Sequence, residues 1–232
     1  IAHIVRVFQD HGVIHVADKV APMQDIGVIN LELVLSDMEI VSKRLGSIAK
    51  DSKKGDKEAI FEEGILQKIE KVLEEGHLAS TLDLSDEEKF KIKSLNLLTL
   101  KPMLYVLNIS EASENLEVGL PKDYLSVKID PVFEHGFDDL IKKSYELLGL
   151  ETYFTTGPDE SRAWTIKAGS TAPIAGTAIH TDFKDKFIRA EVVYWKDLLE
   201  AGDYVSARAQ GKVRTEGKEY IVKDGDVIEF KI

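Results

Sequence analysis

Apolar residues recur at helical spacing through much of the first hundred positions. From Ile26 onward they return every three, four or seven residues with charged residues between them, which predicts an amphipathic helix of about six turns. The recurring positions are Ile29, Leu33, Val34, Ile40, Val41, Leu45 and Ile48. Turn-forming residues 51–56 interrupt the pattern, and Asp56 can cap a second helix that ends near Gly76. Two long helices joined by a short polar turn predict an antiparallel, coiled-coil-like hairpin.

Apolar runs on both sides of this hairpin predict strands. Residues 1–8 form one such run, and a polar loop that extends to Asp25 follows it. In residues 101–107 the positions after Lys101 are apolar without alternation, which is typical of a parallel strand covered on both faces. Residues 125–129 predict another strand, and residues 136–150 predict a helix that closes this part of the chain.

The last third of the chain changes to short strands. From Thr152 the predicted order is two strands, a helix and a third strand, followed by two short helical segments. Turn residues 223–226 stand between two final strands and predict a hairpin. This order predicts a compact, ubiquitin-like β-grasp domain.

We therefore expect an α/β protein in three parts. Residues 1–24 and 96–150 form a domain with a parallel sheet, residues 25–95 form the inserted α-helical hairpin, and residues 151–232 form the β-grasp domain.

Composition narrows the class of protein. The 232 residues carry a formal net charge of −11 and no cysteine. The lack of cysteine excludes a disulfide framework or a thiolate zinc site and fits a reducing cytoplasm. No apolar run approaches the roughly 18 residues of a membrane span. The negative charge argues against coating of nucleic acid by bulk electrostatics, although it leaves room for a local basic face. We expect a cytoplasmic protein with no membrane and no DNA as partner.

Candidate chemistry follows directly on the apolar strand at residues 104–107. Asn108, Ile109, Ser110 and Glu111 would lie beyond the carboxyl end of this strand, where doubly wound sheets bind ligands. A carboxamide can both donate and accept hydrogen bonds, and a carboxylate accepts them from ring or exocyclic N–H groups, as a nucleotide base requires. In the alternative interpretation, Asn108 only ends the strand, and Ser110 or Glu111 caps the next helix.

Several segments together resemble the YchF family of Obg-like ATPases. They are residues 104–111 (LYVLNISE), 164–167 (WTIK), 178–183 (AIHTDF), 187–192 (FIRAEV) and 217–222 (GKEYIV). The resemblance covers essentially the whole chain and keeps the domain order. It implies that the parallel sheet is part of a P-loop nucleoside triphosphatase domain and that the β-grasp domain is a TGS domain.

The resemblance also implies roles for the base loop. Ordinary GTPases of this class read Asn-Lys-x-Asp here, whereas this chain has Ile109 in place of Lys and Glu111 in place of Asp. The altered loop is similar to the one by which YchF proteins prefer ATP over GTP. By this analogy Asn108 and the Ile109 backbone contact adenine, and Glu111 shapes the pocket. Ser126 falls where a second base-contacting loop is expected.

Two family motifs do not occur in the 232 residues. They are the glycine-rich phosphate-binding loop with its Lys and Ser/Thr, and the Asp-x-x-Gly switch. Because the chain begins within a predicted strand, without Met or a leader, we expect both motifs upstream of Ile1 in the complete protein. We assign no catalytic and no metal-binding residue. His180 and Asp182 make too poor a metal pair. Residues 115–133 also look shorter than the family pattern.

Two functional hypotheses follow. The first is a ribosome-associated P-loop ATPase that regulates translation or a stress response, with ATP, or alternatively GTP, and Mg²⁺ as ligands. The second is a non-catalytic module whose hairpin and TGS domain bind ribosomal RNA or protein. Arg162, Trp164, Lys167 and Arg189 could form an aromatic and basic surface for RNA, although alternating strand positions more often face a core.

Overall fold

The computed structural model describes residues 1–9, 20–113, 117–122, 124–157 and 159–232. Residues 10–19 of the predicted first domain, and residues 115, 116 and 123 of the segment predicted to be short, lie outside the described residues. The chain divides into two compact units, Ile1–Lys143 and Ser144–Ile232. This division falls before the boundary predicted at residue 151.

The first unit contains a three-stranded parallel sheet, as predicted from the continuous apolar residues 104–107. Its strands are β1 (Ala2–Arg6), β2 (Leu104–Asn108) and β3 (Ser126–Ile129), in the order β1-β2-β3. The register sets Asn108 opposite Arg6 on one side and Ile129 on the other. Residues 104–107 of β2 are all buried. The carboxyl ends of the three strands therefore meet at one edge of the sheet.

A helical hairpin separates β1 from β2 in the sequence. It consists of α1 (Pro22–Lys53) and α2 (Lys57–Glu74), and α3 (Asp86–Ile92) follows with the predicted capping box of Ser85 and Glu88. The end predicted for the polar loop, Asp25, is wrong, because α1 already begins at Pro22, a residue that suits a first helical turn. As predicted, Asp56 caps α2, accepting a hydrogen bond from the Ala59 N–H at 2.9 Å.

Only part of the predicted apolar stripe is the core of the hairpin. Val34, Val41 and Ile48, spaced by seven, are buried against α2, whereas Ile29 is 44% exposed. Polar contacts also cross the hairpin. Arg44 on α1 donates two hydrogen bonds to the carboxylate of Glu62 on α2, at 2.5 and 2.8 Å.

The second unit contains a five-stranded mixed sheet. Its strands are β4 (Leu150–Thr156), β5 (Ser161–Lys167), β6 (Arg189–Tyr194), β7 (Arg214–Glu216) and β8 (Asp226–Lys231), in the order β5-β4-β8-β6-β7. The central pair β4 and β8 is parallel, and the other pairs are antiparallel. Its short helices are α5 (Ala172–Gly176), α6 (Asp182–Asp185), α7 (Trp195–Ala201) and α8 (Tyr204–Ala209). Helix α4 (Phe137–Leu148) precedes β4.

The hairpin predicted at residues 223–226 is wrong. The carboxylate of Asp226 accepts hydrogen bonds from the Tyr220 hydroxyl at 2.7 Å and the Lys223 N–H at 2.9 Å, and these contacts close the turn. Residue Ile221 forms only an isolated bridge with Thr171. Strand β8 is consequently free to pair with β4 and β6 in the middle of the sheet.

Both faces of the second sheet are covered. Tyr153, Ile166, Val192 and Ile228 pack with α5 on one face. Phe154, Val193 and Val227 pack with residues of α7 and α8 on the other. None of the helices within the described ranges combines the length and apolar character needed to cross a lipid bilayer.

Candidate nucleotide-base site

The Asn108 loop leaves the sheet at its carboxyl edge. The Asn108 carbonyl accepts a hydrogen bond from the Val7 N–H at 3.0 Å, and the Ile109 N–H donates to the Ile129 carbonyl at 2.9 Å. The backbone is thus held between the ends of β1 and β3. This is the position at which parallel sheets bind ligands.

The side chain of Asn108 carries an unsatisfied polar atom. Its Oδ1 is buried and accepts no hydrogen bond from the described residues. Burying an acceptor without a partner costs about 1–3 kcal/mol, so such atoms are rare in folded proteins unless a ligand or water meets them. An acceptor held in this state suits an N–H group of a bound base.

A tight turn follows Asn108. Ser113 accepts a hydrogen bond from the Ser110 N–H at 2.9 Å and donates one to the Ser110 carbonyl at 3.1 Å. The turn contains a short 3-10 helix, Glu111–Ser113. Glu111 is exposed, and its carboxylate has no hydrogen bond or ion pair within the described part of the chain. The turn is closed by Ser113, which leaves the Glu111 carboxylate available to a ligand.

A cavity of about 260 Å³ lies beside this loop. Its lining comprises Ile109, Glu111, Asp130, Phe133 and His135. Ile109 and Glu111 are predicted from the sequence, whereas Asp130, Phe133 and His135 are not. A signal for them existed, because Asp130 follows β3 directly, just as Ile109 follows β2.

The turn after β3 is closed by its own hydrogen bonds. The buried carboxylate of Asp130 accepts from the N–H groups of Val132 at 2.9 Å and Phe133 at 3.2 Å. The backbones of Asp130 and His135 exchange two hydrogen bonds of 3.0 Å. Gly136 then adopts φ +81°, and a Cβ there would lie 2.0 Å from the Lys128 carbonyl oxygen. Only glycine fits this position.

Ser126 is not brought to the cavity. It is the first residue of β3 and pairs with Tyr105, three positions before Asn108 pairs with Ile129. Three strand residues span about 10 Å, so Ser126 lies towards the opposite edge of the sheet. Its carbonyl accepts a hydrogen bond from Lys143 Nζ at 2.6 Å. Asp130, which follows β3 at its other end, lines the cavity.

His180 and Asp182 lie together on the surface of the second unit. The His180 Nδ1 is 3.6 Å from an Asp182 oxygen and accepts a hydrogen bond from the Asp182 N–H at 3.2 Å. A hydrogen bond and the charge of Lys186 lower the pKa of Asp182. Among the described residues, no group of three or more His, Cys, Asp or Glu could hold a metal ion.

The predicted aromatic and basic surface is divided between two faces of the second sheet. The Arg162 guanidinium lies 4.3 Å from the Trp164 ring centroid, on the face of Ile166. Lys167 and Arg189 are on the other face, because successive strand residues alternate and Arg189 shares the face of Val193. The prediction that all four residues form one RNA-binding surface is therefore wrong.

Comparison with known proteins identifies the family. The model of the YchF-GTPase C-terminal family, described as a protein of unknown function (DUF933), matches residues 150–232. A Bacillus subtilis protein named ribosome-binding ATPase YchF is 43% identical, and the match covers 100% of this chain and 72% of the relative. The chain belongs to the YchF family. The Haemophilus influenzae protein of the same name is 38% identical with the same coverage.

A solved YchF structure agrees with the fold. The Schizosaccharomyces pombe YchF GTPase aligns with a TM-score of 0.74 and 31% identity, over 99% of this chain and 71% of that one. This similarity fits a P-loop nucleoside triphosphatase architecture for the parallel-sheet unit. The relatives' names specify different nucleotides. The bacterial YchF proteins are called ATPases, and the Schizosaccharomyces pombe protein is called a GTPase.

The YchF relatives also carry residues that this chain lacks within the matched region. The alignment with the Bacillus subtilis protein extends over 265 positions, against 232 residues here. A shortened segment was predicted at residues 115–133. The longer alignment agrees with a shorter segment in this chain, but it does not show where in the chain residues are missing. The position of the shortened segment therefore stays a prediction.

Proposed function

We propose that this chain carries the base-recognition part of a ribosome-associated P-loop nucleoside triphosphatase that prefers ATP over GTP. The observation that supports it most is the buried, unpartnered Oδ1 of Asn108 at the carboxyl edge of a parallel sheet, directly before Ile109, which lines a cavity together with Glu111. Ribosome association is carried over from the names of the bacterial relatives.

Three residues would read the base. The Asn108 carboxamide can accept from the exocyclic amino group of adenine and donate to a neighbouring ring nitrogen. Ile109 replaces the lysine of the usual guanine-reading loop and offers an apolar contact to the base. Glu111 is one methylene longer than the aspartate that accepts two guanine protons, so its carboxylate would reach a different position. Ser126, at the other end of β3, is left out of this site.

The residues present do not fit the phosphates or Mg²⁺. The 232 residues contain no glycine-rich loop with Lys and Ser/Thr, and the described part of the chain holds no cluster of metal ligands. Hydrolysis would require phosphate-binding groups in addition to those of this sequence. We therefore derive no chemical step and assign no catalytic residue.

The second unit supports a partner-binding role. Its strand order, in which β4 and β8 pair in parallel and the three other pairs are antiparallel, supports the assignment of a β-grasp TGS domain. A non-catalytic module that binds the ribosome through the hairpin and this domain is the second candidate function. The observation in its favour is that the helical hairpin and the five-stranded sheet are both present among the described residues.

Calorimetry with ATP and GTP tests the base preference. Within the complete protein, the parent sequence should bind ATP more tightly than GTP, and the double variant Ile109→Lys with Glu111→Asp should shift the preference towards GTP. Equal affinities in the parent, or a preference for GTP, would refute the adenine-reading loop.

Co-sedimentation with ribosomes, with and without ATP, separates the two candidate functions. Binding that ATP does not change would favour the module.

A further inference from the structure

The turn after β3 presents an aromatic ring at the cavity. Phe133 lines the cavity and is 55% exposed, and the ring of His135 lies beside it at a centroid distance of 6.3 Å. Single exposed apolar residues are common on protein surfaces, so exposure alone carries no argument. Phe133 differs from other exposed apolar residues because hydrogen bonds within the turn hold its backbone in place.

The backbone at Phe133 is fixed before any ligand binds. Its N–H donates to the Asp130 carboxylate at 3.2 Å, and the paired backbones of Asp130 and His135 close the turn around it. Gly136 keeps the end of the turn against Lys128. A ring on such a turn loses little conformational freedom when a ligand covers it, which raises affinity.

The size and lining of the cavity suit a planar ring system. Its volume of about 260 Å³ is slightly below the range typical of pockets for whole drug-sized ligands, which suits a base without its ribose and phosphates. Apolar contacts come from Ile109 and Phe133, and polar groups from Glu111, Asp130 and His135. Nucleobases require this combination of apolar faces and polar edges.

We infer that Phe133 is the stacking surface for the nucleobase in this cavity. The inference rests on the proposed function, because it assigns the base to the same site. Every base has a π face, so stacking on Phe133 strengthens the binding of adenine and guanine alike. Discrimination between the two bases is then left to Asn108 and Glu111, which meet the base edges.

A pair of tryptophan variants reports on contact with the base. Phe133→Trp places an indole in the cavity, and Val132→Trp places one on the neighbouring residue, which is 82% exposed and is not part of the lining. The two native tryptophans, Trp164 and Trp195, are both in the second unit and supply the same background in each variant. Adenosine and guanosine should each quench the emission of Phe133→Trp saturably, while Val132→Trp behaves as the parent.

Affinity measurements complete the test. Nucleoside titrations of the parent, Phe133→Ala and Phe133→Tyr are followed by the amide resonances of Asn108 and Ile109. Loss of one stacking contact should weaken the binding of both nucleosides by about 5-fold or more in Phe133→Ala. Phe133→Tyr keeps the ring and should stay within about 2-fold of the parent. Circular dichroism verifies that each variant is folded.

Failure of the inference and failure of the proposed function give different results. If adenosine shifts the Asn108 and Ile109 resonances but Phe133→Ala binds as the parent does, the stacking role is wrong and the base site remains. A loss in Phe133→Ala that affects only one nucleoside also refutes stacking, because a π contact does not select between bases. If adenosine leaves both resonances unchanged in the parent, the base site and the inference are refuted together.

Discussion

The buried carboxylate of Asp37 on α1 accepts hydrogen bonds from both the backbone N–H and the hydroxyl of Thr99, at 2.7 and 2.6 Å. Its other oxygen accepts from the Leu98 N–H at 2.9 Å. Asp37 and Thr99 are 0% and 1% exposed. A contact between residues this far apart in the sequence fastens the hairpin to the segment that enters β2.

Removal of the Asp37 carboxylate should destabilise the first unit. Asp37→Ala leaves three donors without an acceptor, two of them on the buried Thr99, so we expect a loss of about 3 kcal/mol in the free energy of unfolding. Chemical denaturation followed by circular dichroism measures it. Glu39→Gln, an exposed position on the same helix, is the control and should change stability by less than about 0.5 kcal/mol. Equal effects of the two variants would contradict the structural role of Asp37.

The Arg44–Glu62 pair should make stability depend on pH. The hydrogen bonds from Arg44 hold the pKa of Glu62 below its ordinary value of 4.5. Because the folded-state pKa is lowered, the stabilisation is present above pH 4.5 and is lost as the pH falls through the lowered value. Arg44→Met should therefore cost about 1–2 kcal/mol at neutral pH, and the difference from the parent should shrink in acid.

A surface pair serves as the control for that experiment. Lys54 and Asp51 form an ion pair at 3.0 Å, but their side chains are 63% and 60% exposed. Lys54→Met should cost less than about 0.5 kcal/mol at any pH. A pH-independent cost in Arg44→Met would mean that Arg44 acts through packing and not through its hydrogen bonds to Glu62.

Gly136→Ala should disrupt the turn beneath the cavity. The added Cβ would meet a backbone oxygen that cannot move aside, so we expect a loss of more than about 2 kcal/mol and weaker nucleoside binding. Gly119→Ala is a matched control, because Gly119 also has a positive φ, +69°, but open space around its Cβ position. The control should cost about 1 kcal/mol and leave binding unchanged. Similar losses of stability and binding in both variants would contradict the steric argument.

Asn108→Leu should separate stability from binding. The Oδ1 of Asn108 has no partner in the described residues, so an apolar side chain of similar size should leave stability unchanged or raise it by up to about 1 kcal/mol. Nucleoside binding should fall below detection, since the donor and acceptor for the base are gone. Thermal unfolding and calorimetry on the same sample measure both effects. A clear loss of stability would show that Asn108 has a structural role.

The pattern of apolar residues was sufficient for the main elements. Local signals located them well, because the capping residues Asp56 and Ser85 and the apolar run at residues 104–107 act on their own neighbours in the chain. The sequence did not reveal which apolar stripe of α1 faces α2. Ile29 and Val34 are both apolar. Val34 is buried because it packs in the hairpin core, whereas Ile29 stays exposed, and this difference is set by tertiary packing.

The candidate site was predictable only in part, for a similar reason. Asn108 and Glu111 stand in one continuous motif, whereas Phe133 and His135 join them through the pairing of β2 with β3. Ser126 was assigned to the base by the family resemblance, whereas the β2–β3 register places it opposite Tyr105, at the end of β3 away from Asn108. The β8 pairing was missed because a side chain, Asp226, closes the turn that resembled a hairpin.

The contact between Asp37 and residues 98–99 has a mechanical consequence. Three hydrogen bonds to one buried carboxylate join the middle of α1 to the segment before β2. A load applied to the hairpin is therefore passed on through this contact. It strains the short segment before β2, the strand that ends at Asn108.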